Sequence, residues 1–262
     1  MSVEIVGQLS RDTSIWRYMS LDKLISMLDQ SSLFFSCVQS FAHSDPFEGL
    51  LPPQLMKLVH DVVTNPVTLP LSSGLNGGET FRQLTSAIFK SSVVNCWHAN
   101  DGESEAMWKL YGENHRGVAI RSSVEHLSAA LRSDEKIKIG RVSYTDYKAP
   151  TREELRDCVV SGLGPLLKRK SYSHECEVRA FFLPSGLTVT EPKYESQSVA
   201  VCLDSLVQEI VISPFAVEPY VSAVRAIAKN YGMTNRVRAS NLLDGVEDIY
   251  GFMQGATVPE LL

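Results

Sequence analysis

Apolar residues along this chain recur with two periods, and the switches between them mark its elements. Leu21, Leu24, Ile25 and Leu28 fall at i, i+3, i+4 and i+7, which predicts an amphipathic helix over 21–28. Ser20 stands at the N-cap position and Asp22 in the first turn, where an anion suits the helix dipole. On either side, Ile15-Trp-Arg-Tyr18 and Leu33-Phe-Phe-Ser-Cys37 are aromatic and β-prone, so the segment predicts a strand–helix–strand unit. Further helices are predicted around 51–63, 81–89, 103–111 and 124–131, with another running from Thr151 towards Leu167. Strands are predicted at 93–97, 117–121, 137–144 and 175–183. A closing module comprises 200–203, a strand at 209–213, a helix over 217–231 and a strand at 237–239. The Pro-, Ser- and Gly-rich stretch 64–78 reads as a surface loop. Interleaved elements at irregular spacing predict an α+β fold, with a mixed, largely antiparallel β-sheet flanked by helices. No internal repeat, low-complexity tract or linker composition interrupts the pattern, so a single domain over 1–262 is expected.

Composition narrows the class without naming a chemistry. The chain has 262 residues, 44% of them hydrophobic and 21% charged, with a formal net charge of -5. That balance excludes wholesale disorder and is enough for a substantial core. An acidic total argues against non-specific nucleic-acid binding and against membrane-surface attachment, which need a basic excess. No run approaches eighteen apolar residues, and no secretory signal precedes the first strand. The five cysteines are odd in number and widely spaced in apolar surroundings, which predicts free, buried thiols and a cytoplasmic location.

Three islands carry candidate chemistry. In His174-Glu-Cys-Glu-Val-Arg-Ala-Phe-Phe182, strand alternation puts Glu175, Glu177 and Arg179 on one face, and Cys176, Val178 and Ala180 on the other, towards the core. Phe181 continues the charged face, which implies that the face is partly enclosed. Just upstream, Lys168-Arg-Lys170 and Tyr172 offer cations and an aromatic ring suited to phosphate and base contacts, or else a solvated helix end. In Ser44-Asp-Pro-Phe-Glu48, Asp45 and Glu48 lie on a loop after a strand, where the Asp-Pro step starts a turn. The plainer reading is that Asp45 shapes the turn and Glu48 sits in the first turn of the next helix. The third island is Asn95-Cys-Trp-His-Ala-Asn100 with Glu105-Ala-Met-Trp-Lys-Leu-Tyr111. Here Trp97, Trp108 and Tyr111 stack a base or pack the core, and Trp108 and Tyr111 share a helical face. Cys96-x-His98 and His174-x-Cys176 lack the companion spacing of a zinc site, and no metal is predicted. No Walker loop, GxSxG elbow or GxGxxG follows a strand.

Together and in this order, the islands resemble the bacterial family known as domain of unknown function 2971. Trp16-Arg-Tyr18, Leu33-Phe-Phe-Ser36 and Asp45-Pro-Phe-Glu-Gly49 resemble its opening, and Cys96-Trp97, Met107-Trp-Lys-Leu-Tyr111 and Gly117-Val-Ala-Ile120 its middle. Lys168, Tyr172 and Glu175-Cys-Glu-Val-Arg179 resemble its Lys…Trp-x-x-Glu-x-Glu-x-Arg signature, and Val211-Ile-Ser-Pro214 its close, so the similarity spans about 16–241. Ser44 stands in place of the family's Asn before Asp-Pro, and Tyr172 in place of its Trp.

The layout of an early aromatic-Arg-Tyr strand and a late Glu-x-Glu is also distantly similar to ADP-ribosyltransferases, NAD-consuming enzymes of toxin or defence type. That resemblance implies NAD as substrate, Glu177 stabilising the oxocarbenium ion and Glu175 orienting or deprotonating a macromolecular acceptor. It also implies Arg17 on phosphate or the nicotinamide amide, with Tyr18 or Trp108 stacked on a ring. Two alternatives stand beside it. One is a metal-dependent phosphodiesterase or nuclease, with Asp45, Glu48, Glu175 and Glu177 as oxygen ligands and Lys168 on phosphate. The other is a non-catalytic binding module, in which the acids and Arg179 form an ion-pair network holding the sheet.

Overall fold

Alternating and helical periods reappear as strands and helices in the structure, a computed structural model that describes residues 3–64, 86–112, 116–151, 153, 164–185 and 193–244. All but the first residue of the loop predicted over 64–78, Cys158, and most of the helix predicted from Thr151 lie outside the described residues. The strands are β1 (Glu4–Ile5), β2 (Ser14–Met19), β3 (Ser32–Cys37), β4 (Val93–Ala99), β5 (Val118–Ser123), β6 (Leu131–Arg132) and β7 (Lys138–Arg141). They continue as β8 (Ser143–Thr145), β9 (Leu167–Arg169), β10 (Glu177–Phe182), β11 (Gln197–Val201), β12 (Glu209–Ile212) and β13 (Val237–Ala239). Helices α1 (Leu21–Gln30), α2 (Pro53–Thr64), α3 (Glu105–Tyr111), α4 (Val124–Ala130), α5 (Leu203–Leu206) and α6 (Tyr220–Asn230) lie between them. Residues 86–91 are also helical. Ser104 and Ser123 cap α3 and α4 by accepting the backbone N–H three residues on, whereas Ser20 begins α1 without a side-chain cap.

The main sheet runs β1-β7-β10-β4-β2-β5-β12-β13, with β3, β11 and β6 on a branch. Its β1–β7 and β12–β13 ladders are parallel and its other ladders antiparallel. The fold is therefore α+β with a mixed, mostly antiparallel sheet. A separate parallel ladder joins β8 to β9.

The branch arises at β4. One edge of β4 pairs with β10 along its whole registered length, from His98 opposite Glu177 to Val93 opposite Phe182. Its other edge is shared by two strands: β2 pairs near its end, at His98 and Ala99, and β3 near its start, at Val93 and Val94. Between those points β2 and β3 diverge, and the sheet forks beside Asn95, Cys96 and Trp97. Asn95 partly closes the gap by donating to the Phe34 carbonyl at 2.9 Å.

Alternation sorts side chains between the two faces of this forked sheet. Ile15, Met19, Val93, Trp97, Val178, Ala180 and Phe182 share one core with the apolar sides of α1, α4 and α6. The opposite face carries two smaller clusters, one around Trp16, Tyr18 and Trp108 and the other around Val94, Leu166 and Phe181. The polar residues Glu177, Arg179, Cys96 and His98 fall on this second face, in register across β10 and β4.

Several sequence expectations change. The strand predicted over 137–144 is two strands, β7 and β8, in different sheets, and Cys96 and Cys202 are half-buried instead of buried. The strand predicted from 175 begins at Glu177, because Cys176 adopts a left-handed φ of 42° after a 3-10 turn over Lys170–Glu175. Glu175 is thus not on the strand, and Cys176 is exposed instead of packed towards the core. Lys168 and Arg169 belong to β9 instead of a helix end. The alternation rule assumed extended backbone throughout, and the positive φ at Cys176 breaks that assumption.

Phe35 marks how much the branch contributes. It is fully buried on β3, with its ring 5.5 Å from that of Phe182 on β10. Phe35→Ala is expected to cost about 3–5 kcal/mol by opening a cavity at the fork, measured by urea unfolding of the full chain.

Candidate functional site

Arg179 is the post around which the second face is built. It is 1% exposed, and its Nε donates to Glu177 Oε2 at 2.7 Å. Its Nη1 donates to Glu48 Oε1 and to the Pro165 carbonyl, both at 2.6 Å. A cation this deep is tolerated only with partners on its donors. Burial would lower its proton affinity, but Glu177 and Glu48 hold it well above the usual value. The same bonds fix three separate pieces of chain: β10, the turn that ends at Gly49, and the segment entering β9.

Lys168 then reaches back over that post. Its Nζ bonds Glu177 Oε1 at 2.6 Å and also Glu175 Oε2, and lies 4.8 Å from the centre of the Tyr172 ring. The two glutamates answer differently to this shared clamp. For Glu177, burial is outweighed by Arg179, Glu175 and Lys168, and its carboxyl is held well below the usual range. For Glu175, burial leads and the neighbouring Glu177 adds to it, pushing the carboxyl up to about 7. Tyr111 supplies a hydroxyl 3.3 Å from Glu175 Oε1, and its phenol is raised by burial and by that carboxylate. One ionised and one readily protonated carboxyl side by side is the arrangement that acid–base chemistry uses.

The loop bearing Asp45 is latched to the same segment. Asp45 accepts the Phe47 N–H at 3.0 Å, which makes the turn, and pairs with Arg169 at 2.7 Å. The Arg169 guanidinium stacks over Phe47 and Tyr172, at 4.7 and 5.4 Å from their centres, and Tyr172 donates to the Ser44 carbonyl at 2.9 Å. Asp45 both shapes the turn and holds a cation. Glu48 precedes α2 by several residues and serves Arg179, not the helix dipole.

Asp45, Glu48, Tyr111, Lys168, Tyr172, Arg179 and the two late glutamates line one cavity of about 630 Å³, a volume suited to a small organic ligand. The fork in the sheet lets it draw on both faces: Glu177, Arg179, Cys96 and His98 from one, Arg17, Trp97 and Met27 from the other. Arg17 lies 5.9 Å from the centre of the Trp97 ring, and its Nη2 reaches the Phe34 carbonyl at 3.5 Å. Its Nη1 meets no partner, and no carboxylate pairs with it among the described residues. Burial lowers its proton affinity to about 10, so it stays a cation. The exposed rings of Phe34 and Tyr111 also line the cavity.

Arg17, Tyr18, Asp45, Glu48, Trp97, Tyr111, Lys168, Tyr172, Glu175, Glu177 and Arg179 therefore converge on this cavity. Trp108 does not line it. That ring is buried behind Tyr18, edge-on at 4.8 Å, with its N–H on Glu103 at 3.0 Å. Tyr18 is itself fixed by accepting the Ser104 N–H at 2.9 Å. Sequence reading missed the placement of His98 and of Tyr144, whose hydroxyl accepts the Glu177 N–H at 2.8 Å. Alternation along β4 could have flagged His98, which shares its face with Cys96. Tyr144 carried no signal. Burial and Glu177 push the Cys96 thiol up to about 12, so it is no ready nucleophile.

Each acid proposed as a metal ligand is already bonded to a cation: Asp45 to Arg169, Glu48 to Arg179, and the two late glutamates to Lys168. Among the described residues, no group of three or more His, Cys, Asp or Glu is placed to hold a metal ion. No helix among them is long and apolar enough to cross a membrane.

The family described as "Protein of unknown function (DUF2971)" matches residues 107–180, so the family resemblance read from the sequence holds over that segment. Comparison with curated proteins and with solved structures gave no match.

Two measurements check the electrostatics. Arg179→Met leaves Glu48 buried without its cation, and Glu177 with Lys168 alone, and is expected to lose about 3–5 kcal/mol in urea unfolding. The folded Glu175 carboxyl titrates at about 7 against 4.5 for the free group, so the folded state holds the extra proton between those values. Stability should fall as pH rises through that window, and Glu175→Gln should flatten the fall in a Tm-against-pH profile.

Proposed function

Starting from a family match that names no activity, we propose that the cavity binds a pyridine dinucleotide and transfers its ADP-ribosyl group to an acceptor. The observation that carries this reading is an unpaired Arg17 sharing one cavity with two adjacent glutamates, one held ionised and the other titrating near neutrality. Arg17 would bind a phosphate, for which a guanidinium with a free donor is suited. The exposed rings of Phe34 and Tyr111 line the same cavity and are available to a base or nicotinamide ring.

The chemistry asked of the residues is modest. As the bond between ribose C1′ and the nicotinamide nitrogen breaks, its electron pair leaves with the neutral base and positive charge develops on the sugar. Glu177, ionised and largely shielded from water, stabilises that charge. Glu175 in its ionised form takes the proton of the acceptor hydroxyl or amine as that atom bonds to C1′. Lys168 bonds both carboxyls and offsets part of the repulsion between them.

A structural network that only holds the sheet is favoured by one observation, the saturation of Arg179. It gives no account of the unpaired Arg17 or of the volume left beside it. A metal-dependent phosphodiesterase would have to displace Arg169, Arg179 and Lys168 from every acid it needs.

Incubation of the full chain with NAD and a cell extract should release nicotinamide. Glu177→Gln should slow release about 10²–10³-fold, the usual scale for losing one preorganised electrostatic contact. In the wild type the rate should rise through pH about 7 as Glu175 loses its proton, and Glu175→Gln should abolish that rise. Absence of both NAD binding by calorimetry and nicotinamide release would overturn the reading.

A further inference from the structure

Neither the sheet nor the ion-pair network accounts for one ring nitrogen of His98. Its Nδ1 lies 2.7 Å from the backbone carbonyl of Glu175. A carbonyl can only accept, so Nδ1 carries the proton, and in the neutral ring Nε2 carries the lone pair. That Nε2 is buried and meets no partner among the described residues, although His98 is only 6% exposed and lines the cavity. A buried polar atom left without a partner is costly, and such atoms call for a reason. Burial also lowers the affinity of His98 for a second proton, so the acceptor is kept at neutral pH.

Its position says what it would accept from. His98 stands directly opposite Glu177 on β10 and opposite Trp16 on β2, so the three side chains form one row across the sheet. Directly opposed residues have their Cβ atoms about 5 Å apart. Tyr18 holds the imidazole edge-on from the far side, with ring centres 6.2 Å apart. A group seated against the Glu177 carboxylate is therefore within reach of the His98 lone pair. Asp45 Oδ2, another buried acceptor without a partner, lines the same cavity. Two unpartnered acceptors and one cation without an anion suit a ligand that carries both hydrogen-bond donors and an anionic group.

We propose that His98 Nε2 is a specificity-determining acceptor that takes a hydrogen bond from a ribose hydroxyl, so that the cavity selects phosphorylated ribose over its deoxy counterpart. This rests on the reading above for where the sugar sits, beside Glu177. It extends that reading by assigning the hydroxyl contact to a residue on β4, held in one tautomer by the backbone of Glu175.

The test uses the full chain labelled with ¹⁵N-histidine, titrated separately with NAD, ribose 5-phosphate and 2-deoxyribose 5-phosphate. In the free protein at neutral pH, Nε2 should show the resonance of an unprotonated nitrogen. On binding of NAD or ribose 5-phosphate it should shift in the direction of a hydrogen-bonded acceptor, and respond less to the deoxy sugar. His98→Phe should weaken ribose 5-phosphate binding about tenfold or more, the scale of one lost buried hydrogen bond. His98→Gln, which returns an acceptor oxygen near the same place, should recover most of it. NAD binding that leaves Nε2 unmoved would overturn the role of His98 and spare the proposed function. A shift with ribose 5-phosphate but no binding of NAD would overturn the proposed function and support His98. No response of Nε2 to any of the three, or a protonated Nε2 in the free protein, would overturn the inference whatever the variants do.

Discussion

A guanidinium with almost no exposure to water sets the terms for the rest of this molecule. Arg179 cannot be buried without anions and carbonyls around it, and it recruits them from near and far along the chain: Glu177 beside it, the carbonyl of Pro165, and Glu48 from the turn ahead of α2. Three segments, one of them 131 residues away, are thereby held to one point. Once Pro165 is fixed, β9 is fixed, and Lys168 has two carboxylates within reach. Once Glu48 is fixed, Asp45 stands where Arg169 can meet it. Replacing such a network by apolar side chains is often harmless to stability in other proteins. Here it has a second consequence, because it holds two glutamates of one sign in one clamp and drives their titrations apart.

The second constraint is geometric. Any strand has two edges, and β4 spends one of them entirely on β10. The other edge is divided between β2 and β3, which cannot both pair at the same residues. The divergence leaves space beside Asn95, Cys96 and Trp97, and through it Arg17 and Trp97 reach a cavity that otherwise belongs to the opposite face. The charged network and the fork are independent features, and the cavity exists because they meet at β4 and β10.

Much of the fold was legible from periodicity alone. The helix over 21–28 was found nearly to its ends, as α1, because its apolar spacing matches a buried stripe ending in Leu24, Met27 and Leu28. The strand at 93–97 and the helix to Tyr111 were legible for the same reason. Alternation also placed Glu177 and Arg179 on one face and Phe181 within an enclosure, and the structure buries all three. It failed at Glu175, which reaches the same carboxyl cluster from a 3-10 turn, because a positive φ at Cys176 resets the direction of the chain. It also could not separate Trp108, buried behind Tyr18, from Trp97, which lines the cavity; both are aromatic residues in apolar context.

The sequence by itself determined the class of fold, the identity of most strands and helices, and the residue types that gather at the cavity. These follow from local rules: the period of apolar positions, the turn at Asp45-Pro46, and the charges flanking buried strands. Only the tertiary structure decided which carboxylate meets which cation, that Arg17 is left without one, and that His98 ends with an unsatisfied acceptor. At the cavity, pairing depends on distances between residues as far as 131 positions apart in the chain, as for Glu48 and Arg179. Proton affinities depend on the burial and charge that those pairings create. Neither quantity has a local signature, because both come from closing the chain on itself.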